Sequence, residues 1–132
     1  MTNPKDDKAT VIAANQGFYD AFSDRNLATM RSLWWQGTSS ICIHPGSQPL
    51  VGWTEIEQSW LAIFRNTEAL EIDLEVVQVE VDRSLAYIVV REIVLQANQG
   101  RKMKAQSIAT NVFQKMAQKW YLVSHHGSPI MR

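Results

Sequence analysis

Apolar residues Val11, Ala14, Phe18, Ala21 and Phe22 return at three- and four-residue spacing between residues 9 and 24, with polar positions between them. That period predicts a helix with one buried stripe. Ser23-Asp24-Arg25-Asn26 interrupts it, and Asn26 is placed to cap a short second helix carrying Leu27, Met30, Leu33 and Trp34 and ending at Gly37. Ser40-Ile41-Cys42-Ile43-His44 predicts a strand that Pro45-Gly46 must stop, which makes His44 its last residue. Beyond Gly52, Thr54-Glu55-Ile56-Glu57 has the spacing of a capping box. A third helix follows, with Trp53, Ile56, Trp60, Ile63 and Phe64 on one side.

The period then changes to two. Leu70, Ile72, Leu74 and Val76 are apolar at even positions, but Val77, Val79 and Val81 continue at odd ones, a slip that predicts a β-bulge and with it curvature. Turns at Asp82-Arg83-Ser84, Asn98-Gln99-Gly100 and Ala117-Gln118-Lys119 divide the rest into an antiparallel meander of four strands. Helices first and a meander afterwards predict an α+β domain, its helices covering one face of a curved sheet around a pocket. A doubly wound nucleotide-binding fold needs alternating strands and helices and a Gly-rich first turn, and neither is present.

Composition narrows the class further. The 132 residues are 45% hydrophobic, and no Pro/Gly/Ser-rich stretch divides them, so residues 9–132 read as a single domain after a solvated tail over residues 1–8. Thirteen basic residues cancel thirteen acidic ones, which leaves no concentrated positive face for nucleic acid. The single Cys42 cannot form an internal disulfide, and the first eight residues lack the apolar stretch of a signal peptide. Both agree with a reducing, cytoplasmic setting. Apolar runs fall well short of the roughly 18 residues of a membrane span. Neither nucleic acid nor membrane is therefore an expected partner.

Three segments carry a resemblance: Phe18-Tyr19-Asp20-Ala21-Phe22 with Asn26-Leu27 and Met30; Cys42-Ile43-His44-Pro45-Gly46 with Gly52 and Ser59-Trp60; and Trp120 to Pro129. Together they resemble the nuclear transport factor two-like superfamily, and within it the SnoaL-like branch. The resemblance implies a cone-shaped α+β barrel in which three N-terminal helices pack on a strongly curved, mainly antiparallel sheet. It also implies a homodimer formed sheet against sheet, with a mainly apolar pocket that takes a small molecule and no cofactor. The final segment, with Arg91, is also similar to the association domain of calmodulin-dependent protein kinase, so an oligomeric assembly module is an alternative. A second pocket arginine of that domain falls on Asn111 here. A fold that hosts several activities does not choose among them.

By the same resemblance, His44 falls where ketosteroid isomerase, a relative in fold, has its aspartate base just before a proline. That implies His44 as general base of an isomerase or dehydratase, with Tyr19 near the place of the isomerase's hydrogen-bonding tyrosine. The isomerase's third group, a protonated acid in an apolar site, has no assigned counterpart in the sequence. The plain alternative is that His44 is a wall residue satisfied by a carbonyl or water, and that Tyr19 is packing. Adjacent strand residues face opposite ways, so His125 and His126 cannot share a metal, and no metal site is expected. The family match points His126 into the pocket and His125 outward. Arg91 interrupts an apolar strand whose Leu85, Tyr87, Val89 and Ile93 share its face; read as the core side, that face requires an acidic partner or a ligand carboxylate for Arg91. The candidate ligand-binding set is Trp34, Trp60, Arg91, Asn111 and His126, with the tryptophans serving mainly as core. Ile88, Val90, Val112 and Val123 are expected on the dimer face, and Glu71, Asp73 and Glu75 on a solvated one.

Overall fold

The computed structural model describes residues 4–131. Helix α1 spans Pro4–Ser23, starting earlier than its apolar stripe predicts. Asp6 and Asp7 occupy its first turn, where unpaired backbone N–H groups favour acidic side chains. Asp7 is buried against Lys115 Nζ at 3.0 Å, so the stretch expected as a solvated tail is pinned to the sheet from Asp7 onward. Residues 1–3 of that stretch lie outside the described residues.

Helix α2, Leu27–Leu33, begins as expected: Asn26 Oδ1 accepts from the Thr29 amide at 3.1 Å. It ends before Gly37 because Trp34 is already extended and bridges Leu122. Strands β1 (Ile41–Ile43) and β2 (Leu50–Val51) precede helix α3, Trp53–Arg65. The expected capping box does not form. The helix starts at Trp53, with Gly52 as N-cap, so Glu55 takes the third position and reaches back to the Val51 amide (3.2 Å), while Glu57 is held by Arg31 at 2.6 Å.

Strands β3 (Ala69–Asp82), β4 (Leu85–Asn98), β5 (Arg101–Met116) and β6 (Lys119–Pro129) form the meander. The six strands lie in the order β2-β1-β6-β5-β4-β3, antiparallel throughout except where β1 runs parallel to β6. The expected bulge is present, with the β3–β4 register shifting between Val76 and Gln78. A second irregularity in β5–β6 leaves Val123 without a partner, since Val112 pairs with Ser124 but Phe113 with Leu122.

Core packing fixes which way each strand faces. Ala86, Ile88 and Val90 of β4, Ala109 and Phe113 of β5, and Leu122 of β6 are buried beneath the helices. There Phe18 stands edge-on between Trp34 and Trp60, with ring centroids 6.3 and 5.6 Å away. Ile88 and Val90 therefore belong to the core and not to the outer face expected for them, whereas Leu85, Tyr87, Val89, Arg91 and Ile93 face outward. β4 is apolar on both faces, so alternation alone leaves its phase open. Its two adjacent charges decide it: a buried carboxyl can become neutral by taking a proton, and a guanidinium cannot lose its charge. Glu92 goes in and Arg91 goes out.

Candidate site inside the cone

Inward positions of β4, β5 and β6 meet α1 in a buried polar cluster. Tyr19 donates its hydroxyl proton to Glu92 Oε2. Asn111 donates from Nδ2 both to Asn15 Oδ1 (2.9 Å) and to Tyr19 Oη (3.2 Å), and its Oδ1 accepts from His125 Nδ1 at 2.6 Å. Tyr19, Asn15, Glu92, Asn111 and His125 are each at most 2% exposed. Burial raises the Tyr19 hydroxyl pKa well above its ordinary value, and the Glu92 charge beside it adds to the rise. Burial also raises the Glu92 carboxyl, against the lowering effect of the Tyr19 bond. His125 is pushed down to about 3 by burial, then by the neighbouring His44 and His126. At neutral pH it is an uncharged imidazole whose proton sits on Nδ1.

His44 follows β1 directly and is only partly buried. The Pro45-Gly46 turn holds it, closed by the Ser47 amide on the His44 carbonyl at 2.8 Å. Gly127 makes room for that turn: a Cβ there would stand 2.7 Å from Pro45 Cγ. The Ser59 hydroxyl donates to the Ile56 carbonyl (2.7 Å) and accepts from His44 Nε2 (2.9 Å), which leaves the basic lone pair of a neutral His44 on Nδ1. Burial lowers the His44 pKa. Its ring stands 4.8 Å from that of Trp60 and 6.3 Å from that of His125, centroid to centroid. Cys42 links the two halves: its Sγ is 3.6 Å from His44 Nε2, and its thiol is pushed up to about 12, first by burial and then by the Glu92 charge.

Of the residues singled out from sequence, Tyr19, His44, Trp60 and Asn111 share this neighbourhood, and Trp34 is buried on the other side of Phe18. Arg91 does not join them. It lies on the outer face, 38% exposed, with Nε 3.7 Å from Glu75. His126 is exposed as well, and His125 takes the inward place expected for it. The unpaired Val123 is the cause: Trp120 and Leu122 face in, the bulge shifts the phase by one, and His125 and Gly127 face in after it. Glu92, His125, Asn15 and Ser59 went unidentified as members of the site. Glu92 had one signal, a second charge beside Arg91 in an otherwise apolar strand.

Among the described residues, no group of three or more His, Cys, Asp or Glu is placed to hold a metal ion. No helix among them is long and apolar enough to cross a membrane. Surface hollows of about 370 and 350 Å³ lie away from the cluster, the first beside Leu70, Leu95 and Met103 and the second beside Tyr87 and Val112.

Comparison with known proteins places this architecture. A protein from Streptomyces avermitilis, provisionally named a dehydratase of the NTF2-like family, is 32% identical and superimposes with a TM-score of 0.92 over 98% of this chain and 100% of that one. A protein from Thiobacillus denitrificans, provisionally named a calcium/calmodulin-dependent protein kinase type II association domain, is 28% identical, with a TM-score of 0.83 over 92% and 96% of the two chains. The F-box protein SKIP8 of Arabidopsis thaliana is 26% identical over 121 residues, which are 92% of this chain. The chain spans about half the length of that curated relative, 50%. The SnoaL-like domain model matches residues 11–132, and the chain belongs to the SnoaL-like domain family.

Proposed function

We propose that the chain is a homodimeric small-molecule-binding domain that moves a proton on a carbonyl or hydroxylated compound, as a dehydratase or isomerase does. The observation that carries this reading is the buried Tyr19–Glu92 pair in the same inner cluster as the partly exposed His44. His44, the partly exposed member of this neighbourhood, takes the proton on Nδ1. A neutral Glu92, held by the hydroxyl that Tyr19 donates to it, polarises the substrate oxygen from behind. Burial raises the Glu92 carboxyl, and in its neutral form it is a donor, which makes it the candidate for the third group that sequence reading left unassigned. Trp34 and Trp60 form apolar wall, and Asn111 orients Tyr19. Arg91 and His126, both facing outward, are assigned to the face between protomers together with Tyr87, Val89 and Val112. The 32% identity to the Streptomyces avermitilis protein, over 98% of this chain, supports the dehydratase side of the reading.

A generic assay tests proton abstraction without knowledge of the natural substrate. In D2O, the protein is expected to exchange deuterium into the carbon next to the carbonyl of small ketones, or to release water from β-hydroxy ketones. His44→Ala is expected to slow this by about 10²–10⁴-fold, the range for a lost general base. Exchange that His44→Ala leaves untouched, with the fold intact by circular dichroism, sinks the reading. A second reading, an assembly module that forms a larger ring through the outer face, is favoured by the 28% identity to the association domain. Light scattering that finds only dimers removes it.

A further inference from the structure

We infer that Trp35 is the anchor that locks two copies together: the indole of each seats in a hollow on the outer face of the other, between β3 and β4, with Lys119 beside it meeting Glu80 and Asp82. This rests on the dimer proposed above and assigns both its locking side chains and the direction of its two-fold axis. Trp34 bridges Leu122 and is buried, so Trp35, the next residue, turns outward, and its ring centroid lies 5.6 Å from that of Tyr121. Trp35 is 40% exposed, yet it is held firmly. Its amide donates to the Leu122 carbonyl (2.9 Å), and its carbonyl accepts from the Ser40 hydroxyl (2.7 Å). Gly37 leaves the space its indole fills, since a Cβ there would stand 2.5 Å from Trp35 Nε1. A large ring already fixed in place loses little freedom when a partner covers it, and that is the character of an interface anchor.

The hollow that receives it is the one of about 350 Å³, lined by the outward Leu85, Tyr87 and Val112 with Glu80 and Asp82 of β3. Ring and hollow lie in one row across the sheet: Leu85 pairs with Gln114, Gln114 with Tyr121, and Trp35 stands beyond Tyr121. β5 is the middle of that row. A two-fold axis parallel to the strands and over β5 therefore brings Trp35 of each copy onto the hollow of the other and sets Val112 near the axis, the reciprocal pairing that a closed dimer requires. Charge selects the same axis. Glu71, Asp73, Glu75, Glu80 and Asp82 of β3 are all exposed and pair with outward residues of β4. An axis across the strands would lay this acidic row on its own copy, and like charges face to face are costly. The axis along the strands lays it instead beside the partner's Trp35, where Lys119 Nζ stands 4.9 Å from the Tyr121 ring.

Dissociation constants from sedimentation over a dilution series test the arrangement. Trp35→Ala is expected to weaken the dimer about 30-fold, which an anchor of about 2 kcal/mol corresponds to, with an unchanged circular dichroism spectrum because the ring lies off the core. Charge reversal tests the axis. Lys119→Glu alone, and Glu80→Lys combined with Asp82→Lys alone, should each weaken the homodimer, since both of its symmetric contacts then set like charges together. Mixed in equal amounts, the two variants should dimerise more tightly than either does alone, because a heterodimer pairs opposite charges at both contacts. Damage inside one chain would persist in the mixture, so this recovery reports the contact itself. Trp35→Ala that dimerises as tightly as the unsubstituted protein, or a mixture no tighter than its parts, overturns the inference, leaves the dimer standing and assigns the hollow to another occupant. An unsubstituted protein that is monomeric at micromolar concentration ends inference and dimer together.

Discussion

At pH 5 an unfolded chain protonates His125 and the folded one does not. Its imidazole is held down to about 3, against an ordinary 6.5, because it is buried, with Nδ1 on Asn111 and the Phe18 ring 5.0 Å away. A depressed folded-state pKa means stability that is fully present above pH 6.5 and lost as the pH falls toward 3. At pH 5 the loss is about 2 kcal/mol, taking about 1.36 kcal/mol per pKa unit. His125→Gln can still donate to Asn111 but cannot titrate. It should shrink the drop in urea-unfolding free energy between pH 7.5 and pH 5 by about 2 kcal/mol, and an unchanged drop would show that His125 is accessible to protons in the folded state. Glu92 runs the other way. Its carboxyl is raised, so its contribution is complete below the ordinary carboxylate range and lost as the pH rises through the raised value. Sequence reading set Arg91 on the core side because it weighed which charge interrupts the strand, whereas Glu92 is the one that faces in. The fold chose by which charge can be discharged.

Elements with a strong local signal were legible, and those set by register were not. Asn26 as N-cap, the slip at Val76-Val77 and the three meander turns all formed as the sequence predicts. The bulge at Val123 left no such trace, because the residues after it, Ser124 to Ser128, are polar or small and give no apolar beat whose phase could be seen to slip. Its consequence is large, since it turns His125 inward and His126 out. The capping box failed for a related reason: Thr54 and Glu57 have the right spacing, but the helix begins two residues too early for them to use it. The Asn26 cap permits a direct check. Asn26→Ala removes the acceptor for the Thr29 amide and should destabilise the protein by about 1 kcal/mol in urea unfolding, whereas Asn26→Asp should cost only a few tenths. Equal losses in the two variants would mean that the cap bond contributes nothing.

The function proposed above gives the two faces of the sheet separate tasks. Inside, every member of the cluster comes from one chain. Outside, Leu85 is 52% and Tyr87 41% exposed, beside partly covered Val89 and Val112. That is a contiguous apolar surface of the kind single soluble protomers avoid leaving bare, and it is the ground for the proposed dimer. Sedimentation at micromolar concentration is expected to show a dimer, and Tyr87→Glu combined with Val112→Glu to give a monomer, since two paired carboxylates would have to be desolvated on an apolar face. Both positions lie off the core, so the variant should keep its secondary structure. A monomeric unsubstituted protein would end the dimer reading. The monomeric variant also separates the faces: because Tyr19, His44, Trp60, Glu92, Asn111 and His125 all belong to one protomer, it should exchange deuterium into small ketones as the dimer does. Loss of exchange on dissociation would mean instead that the outer face holds the inner one in register through β4, where Arg91 and Glu92 are neighbours on opposite sides.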